Sequence, residues 1–511
     1  MTVVGFVSLI VGVVALVHYY LWRRLIRATT ARGRTRRVLT WILAGLAVLV
    51  PVTLVGSRSE WGHFLAWPGF FWIAVMFYLT VFLVLLEIPR ALALLVLSRS
   101  DRRRADARLS RRMADRRRAH AVPGAGPVPP LPEPGRAAPL SEPVPVPVAE
   151  PAWTAPPSES AAAAPLSEPP LIVSPSEPAP VPGDAASGDA PSRSATRLSV
   201  EDPPAALTPP VPVATGPGGG AGSPAGAGPE AIGRRLFIAR TAAAVAGVGA
   251  LATVGNGVRT ALGDPVIESV RVALPKLDPR LSGLRLAVVS DIHLGPLTGT
   301  AHAERIVRMV NSLEADVVAI VGDLVDGTVA QLGTVARPLR SLESRYGTYF
   351  VTGNHEYYTA NGPGEWIEEL RHLGVRPLQN ERVEIAHGGA VLDLAGVNDV
   401  AGSPTGDGPD FERALGGRDR SRSTVLLAHQ PVQAHQAAAH GVDLQLSGHT
   451  HGGQMVPFNL VVPLQQPVVS GLGEVDGTRV YVTRGAGFWG PPVRVGAPPE
   501  ITLLELRGEG P

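Results

Sequence analysis

The 511-residue chain has no cysteine, so disulfides, thiolate metal sites and cysteine nucleophiles are excluded. Lysine is almost missing as well. Lys276 stands alone, and arginine supplies nearly all of the cationic charge. The formal net charge is only +2, which hides a strong local asymmetry because the arginines are bunched in short runs. Charged residues are also lacking over long stretches near the N-terminus. An uninterrupted apolar run of that kind excludes an ordinary solvated surface segment.

Three such runs occur in the first hundred residues: 3–22 (VVGFVSLIVGVVALVHYYLW), 38–56 (VLTWILAGLAVLVPVTLVG) and 70–88 (FFWIAVMFYLTVFLVLLEI). Each has the length of a bilayer-crossing helix, roughly 20 residues, and none has a polar face. Trp67 and Trp72 stand where interfacial anchors are expected. Residues 1–100 therefore read as a membrane region with three transmembrane helices. The segments 23–37 and 98–120 are densely basic, whereas 57–63 carries only Arg58 against Glu60. The positive-inside rule puts the two basic stretches in the cytoplasm and the 57–63 loop outside. Arginines flanking apolar spans set topology, so no nucleic-acid partner is expected.

Residues 101–232 continue from the basic stretch into a long segment of Pro, Ala, Ser and Gly. From about 121 to 230 there is too little apolar surface to offset the entropy of ordering, which predicts a disordered, partly polyproline tether. The next stretch, 233–263, opens with Arg234 and Arg235 ahead of a weakly apolar Ala/Gly-rich run broken by Arg240. It resembles a twin-arginine export signal placed internally, which would make the export machinery a partner. An ordinary fourth transmembrane helix fits as well, and either reading carries the C-terminal region out of the cytoplasm. An amphipathic surface helix would leave that region inside.

Residues 265–511 are expected to form one globular domain. Short runs rich in β-branched residues at 284–290, 316–322, 347–353 and 423–429 read as buried strands. Helical patterns at 303–313 and 364–373 lie between them, which argues for an α/β layered architecture. Each run ends in polar residues. The first leads into Asp291 and His293, the second into Asp323 and Asp326, and the third into Asn354, His355 and Glu356. The fourth ends at His429, and VDLQLS ends in His449 and His451. Ligands bind at the carboxyl ends of strands in such sheets, so five strand ends delivering Asp, Asn and His predict one composite site. Taken singly the pieces are weak; a lone GNH is most often a turn. His302, His372, His387, His435 and His440 lie on expected helices or turns without partners and receive no chemistry. Arg484 and Arg494 read as loop ion pairs rather than phosphate contacts.

The ordered set SDIHLG, GDLVDG, TGNHEYY, a single His429 and LSGHTHGGQ resembles the calcineurin-like metallophosphoesterase superfamily, in particular its bacterial transmembrane branch. The resemblance covers about 265–511. It implies a four-layer α/β/β/α sandwich with two metal ions in a cluster of loops. Asp291, His293 and His451 would hold the first ion, Asn354, His429 and His449 the second, and Asp323 would bridge them. His355 would be the catalytic acid and Asp326 its orienting carboxylate. Carboxylate, amide and imidazole ligands without sulfur independently suit Mn, Fe or Zn. Two such cations would clamp the attacking and leaving oxygens of an in-line displacement and supply hydroxide near neutral pH.

The function expected from this reading is hydrolysis of a phosphoester by a multi-pass protein of the cell membrane, with an extracytoplasmic catalytic domain. Tethering favours a lipid-linked or envelope phosphodiester or pyrophosphate. Two other readings remain: a metal-binding membrane sensor or scaffold without catalysis, and a cytoplasmic-facing nucleotide phosphodiesterase.

Overall fold

The computed structural model describes residues 3–56, 63–119 and 229–508. The expected outer loop at 57–63, except for its last residue, and the expected tether, except for its last two residues, lie outside them. Residues 1–113 and 226–511 form one unit, and residues 114–225 form a second, described only at the end of one helix.

Four long helices come first among the described residues. They are α1 (Val3–Leu21), α2 (Arg34–Gly56), α3 (His63–Ala119) and α4 (Pro229–Leu262). Among the described residues, the segments Arg34–Gly56, Phe64–Arg116 and Gly233–Leu262 are long and apolar enough to cross a membrane. α3 does not stop at the end of its apolar run but continues through the basic stretch 98–119. Arginine and alanine are good helix formers, so nothing in that segment breaks the helix before the proline-rich region. The helices share a core in which Leu21, Ala74, Ala246, Ala250 and Val254 are fully buried. Small residues on α4 allow close approach to its neighbours. Glu87 of α3 forms an ion pair with Arg24 at 2.7 Å and accepts a hydrogen bond from Tyr20 at 3.1 Å, tying α1 and the turn after it to α3. Near its start, α4 donates from Arg240 Nε to Thr29 O at 3.1 Å, in the first basic loop. Near its end, Gly257 O accepts from Arg494 N–H at 3.0 Å, on the α/β domain.

That domain contains two six-stranded sheets. The first has the order β1-β12-β2-β3-β4-β5, with β1 (Val266–Leu274), β2 (Arg285–Val289), β3 (Val317–Val321), β4 (Thr348–Val351), β5 (Val375–Pro377) and β12 (Glu500–Gly508). The second has the order β10-β11-β9-β8-β7-β6. Its members are β6 (Glu381–His387), β7 (Ala390–Gly396), β8 (Thr424–Leu427), β9 (Leu444–Ser447), β10 (Gly471–Val475) and β11 (Thr478–Val482). β2 through β5 run parallel, as do β7, β8, β9 and β11; β12 against β2, β6 against β7 and β10 against β11 are antiparallel.

Alternation along the strands builds the layers. Leu286, Val288, Ala319 and Val351 point at Leu394, Val425, Leu427 and Leu446 of the other sheet, forming the central core. The opposite face of the first sheet, with Ala287, Val289, Ile320 and Phe350, packs on α5 (Thr300–Asn311), α6 (Val329–Ala336) and α8 (Gly364–His372). Ala395 and Leu426 on the outer face of the second sheet meet α9 (Phe411–Leu415) and α10 (Ala434–Ala439). A short α7 (Asn354–Tyr358) follows β4. The order is thus helix, sheet, sheet, helix, as expected. Truncating a central leucine such as Leu286, which is fully buried, would cost about 2–5 kcal/mol. β2, β3 and β4 and, across the core, β8 and β9 all deliver their carboxyl ends to one edge.

Candidate metal centre

At that edge the backbone leaves each strand in an unusual way. Nine non-glycine residues have positive φ among the described residues, and five of them are Asp291, His293, Asp323, His449 and His451. The left-handed region is costly for side chains with a Cβ and is tolerated best by Asn, Asp and His. Five such residues at the ends of β2, β3 and β9 turn their side chains into one space. Strain of this kind concentrates at functional sites because the surroundings hold it in place.

The glycines of the motifs make that convergence possible. A Cβ on Gly353 would lie 2.2 Å from Asp323 Oδ1, and one on Gly448 would lie 2.3 Å from Asp291 Oδ2. Both loops therefore close on a carboxylate from another strand, and any larger residue would push it away.

Three groups of side chains meet closely enough to hold a metal ion: Asp291 with His293 and His451; Asp323 with His429 and His449; and His293 with Asp326 and His355. Asp291 Oδ1 lies 3.2 Å from His451 Nε2, and His293 Nε2 lies 3.1 Å from the same nitrogen. Asp323 Oδ2 is 3.2 Å from His429 Nε2 and 3.9 Å from His293 Nε2, so this carboxylate faces both of the first two groups. Its other oxygen accepts the His355 backbone N–H at 2.9 Å. Asp326 Oδ1 receives His355 Nδ1 at 2.6 Å and His293 Nδ1 at 2.9 Å. Eight of the nine side chains singled out in the sequence meet here, and Asn354 is buried on α7 next to His355.

Two observations test whether a cation fits. Asn354 Oδ1 is a buried atom without a hydrogen-bond partner, and His429 Nε2, also buried, faces only the Asp323 carboxylate. Such groups cost free energy unless something satisfies them. His429 also donates from Nδ1 to Val321 O at 2.8 Å, which fixes the ring with Nε2 turned toward Asp323. Burial, the largest influence on both, pushes the His449 and His451 imidazoles down to about 4, so they are neutral, as ligation requires. Burial opposes charge at His355 too, but the Asp323 and Asp326 carboxylates outweigh it and raise that imidazole to about 9. The residues present fit divalent cations.

Some supporting residues carry no signal that sequence reading had used. Glu356, fully buried, accepts the backbone N–H groups of Gly353, Asp323 and Leu324 at 2.7, 3.1 and 2.8 Å. It fastens the GNHE turn to the GDLVDG turn. Its place in the GNHE motif is the sequence signal that could have found it. Arg494 is buried and hydrogen-bonds only to carbonyls and to His451, whose Nδ1 lies 3.0 Å from Nη2. The expected ion pair is therefore wrong for Arg494, whereas Arg484 does pair with Glu268 at 2.6 Å and Glu500 at 2.8 Å. Four of the remaining histidines belong to none of these groups but do have partners. His387 meets Tyr346, His435 meets Asp476, His440 bonds the Gln436 carbonyl, and His372 stands 3.9 Å from Glu369. His302 is buried on α5.

Residues 284–453 match the calcineurin-like phosphoesterase family. The chain is 44% identical over 263 residues to a transmembrane protein with metallophosphoesterase domain from Bos taurus, covering 49% of this chain and 59% of that one. It is 39% identical over 261 residues to a metallophosphoesterase from Campylobacter jejuni, covering 50% and 66%. Against a metallophosphoesterase from Aquifex aeolicus the identity is 33% over 248 residues, covering 48% of this chain and 92% of the relative. The shared region is about half of this chain and little more than half of the bovine protein. With its motifs converging at one edge of the two sheets, the chain belongs to the calcineurin-like metallophosphoesterase family.

Proposed function

We propose that this protein is a membrane-anchored phosphoester hydrolase that works with two divalent cations. Asp291, His293 and His451 hold one, Asn354, His429 and His449 the other, and Asp323 touches both. The observation that carries this reading is the stance of Asp323 between the two histidine groups, beside the unpartnered Asn354 Oδ1. Mn, Fe and Zn all suit the donor set. Such ions, when bound, would polarise the phosphoryl group and supply a hydroxide nucleophile near neutral pH.

The chain's own part is orientation and proton delivery. Asp326 fixes the His355 ring through Nδ1, which leaves Nε2 to carry a proton to the departing alkoxide. A sensor or scaffold would need the ligands but no such dyad, so the His355–Asp326 pair favours hydrolysis. The hydrogen bonds at the two ends of α4, one to the basic 23–37 loop and one to the α/β domain, support a retained fourth span. They also support a catalytic domain on the extracytoplasmic side. A lipid-linked or envelope phosphoester is the substrate class in keeping with that location.

The test uses the full-length protein in detergent, stripped of metal and reloaded with Mn²⁺. Metal-dependent hydrolysis of bis-p-nitrophenyl phosphate is expected. No metal-dependent turnover on any member of a broad panel of phosphomonoesters and diesters would overturn the hydrolase reading.

A further inference from the structure

The metal centre opens into a cavity of about 280 Å³ whose far wall is not part of the α/β domain. It is lined by His293, Asp326 and His355, by Phe488 and Trp489, and by Leu54 of α2 and Phe70 of α3. No arginine or lysine lines it among the described residues. A nucleotide or polyphosphate would leave its additional charges without a cationic partner there. An apolar group would find Leu54, Phe70 and Phe488.

A second feature stands beside this opening. From 455 to 473 the chain has no charged side chain. Within it, Phe458 is 52% exposed, Leu460 73% and Leu464 82%. A contiguous exposed apolar patch marks an interaction surface. Its setting identifies the partner. Met455, at the start of the loop, and Val493 and Val495 pack in the same core as Val254 and Val258 of α4. A Cβ on Gly257 of α4 would touch Val493 at 2.5 Å, and one on Gly496 would touch Val456 at 2.4 Å. The loop thus leaves the domain at the foot of an apolar helix and continues that helix's apolar surface.

The loop is also wired to the centre. It follows directly on His451, and Gln454 donates to Trp489 O at 2.9 Å while accepting from Trp489 N–H at 3.0 Å. The half-exposed Trp489 ring lies 6.2 Å from His355. Half-buried tryptophan is the side chain suited to a membrane–water boundary.

We propose that residues 456–464 dip into the bilayer leaflet facing the metal centre. The phosphoester then reaches the centre sideways from that leaflet, its apolar chain lying along Leu54 and Phe70. The substrate class is accordingly a phosphate ester of a membrane amphiphile. This second statement rests on the hydrolase reading; the placement of the loop does not.

Because the chain has no cysteine, a single label can be introduced cleanly. Full-length Leu464→Cys carrying an environment-sensitive fluorophore is reconstituted in phosphatidylcholine vesicles. Nitroxide on the lipid acyl chains should quench it strongly and aqueous iodide weakly, with the reverse for Arg420→Cys at the opposite end of the second sheet. Quenching of the Leu464→Cys label by iodide alone, or by neither reagent, overturns the insertion. In the same vesicles, methyl and hexadecyl p-nitrophenyl phosphodiesters are compared. The hexadecyl ester should be favoured in kcat/KM by at least ~10-fold. Leu464→Asp should lower that preference and leave methyl ester turnover unchanged. Equal rates for the two esters, or equal losses, overturn sideways access. If metal-loaded wild type cleaves neither ester, the hydrolase reading and the access route fall together, while the quenching still judges the loop.

Discussion

Asp326 Oδ1 lies 2.6 Å from His355 Nδ1, and that oxygen has a second imidazole, His293, at 2.9 Å. One carboxylate therefore orients the proposed acid and a proposed ligand. Against its burial, the two rings hold this carboxyl well below the ordinary carboxylate range, so it stays ionised. The arrangement separates the expected effects of changing each residue.

His355→Ala should lose about 10²–10⁴-fold in kcat and keep both metals, since it removes a proton donor and no ligand. Elemental analysis alongside kcat on an aryl phosphodiester reads both quantities. Loss of metal as complete as in Asp323→Ala, where the carboxylate facing both groups is gone, would refute the assigned roles.

Asp326→Ala should do more. Freeing the His293 ring as well should weaken metal affinity by about 10–100-fold, the usual effect of losing a partner that orients a ligating histidine. Titrating Mn²⁺ against activity in His355→Ala and Asp326→Ala separates them: only the second should require more metal for its residual rate.

Glycine packing gives a steric prediction. In Gly353→Ala the new Cβ would stand 2.2 Å from Asp323 Oδ1 and 2.4 Å from Asp323 N, part of it rigid backbone. Overpacking of that kind costs about 1–3 kcal/mol, and the displaced carboxylate should release metal. Gly364→Ala, at the start of α8 with nothing within 4 Å, should instead stabilise by about 0.4–1 kcal/mol. Gly353→Ala should unfold at a lower temperature and carry less metal, whereas Gly364→Ala should unfold at a higher temperature with its metal content unchanged.

The contrast also explains what could be read from the sequence. The strands that carry ligands are short, fully buried runs such as Val317–Val321, so they appear as apolar blocks with polar ends. β1 and β6 were not anticipated because VIESVRVAL and ERVEIAH mix polar with apolar residues and are largely exposed on one face. At the centre, every proposed ligand lies at the end of an apolar block and stands out in the sequence. Arg494 reaches His451 across 43 residues and Glu356 reaches Asp323 across 33, and neither stands in a pattern that specifies its partner. Leu54 and Phe70 could not be linked to the site at all, because only the packing of helices on the domain brings them there.

His302 supplies a pH dependence. Burial, followed by the nearby Arg305 charge, lowers its imidazole to about 4 from an ordinary 6.5. The folded protein therefore keeps it neutral, while the unfolded chain takes up a proton as pH falls below 6.5. Its contribution to stability is intact above 6.5 and is lost as pH falls toward 4, by a total on the order of 3 kcal/mol. Wild type should show a larger drop in unfolding temperature than His302→Gln between pH 7 and pH 5 in detergent-solubilised protein. Equal drops would place the acid sensitivity elsewhere.

Sidedness follows from the two ends of α4. Arg240 touches the first basic loop, expected in the cytoplasm, and Gly257 touches the α/β domain. Between them Ala246, Ala250 and Val254 are buried among the other helices, a packing that a removable signal would not need. Reporter fusions after residue 265 should therefore be active only outside the cytoplasmic membrane. Replacing Arg234 and Arg235 together by lysine distinguishes the export routes. The twin-arginine route requires arginine itself, so the double change should block export on that reading. A packed span needs only positive charge on its cytoplasmic flank, which lysine retains, and export should continue. The buried face of α4 favours the second outcome. A reporter active only in the cytoplasm would move the metal centre to the inner leaflet and reverse the sidedness, whatever the substrate.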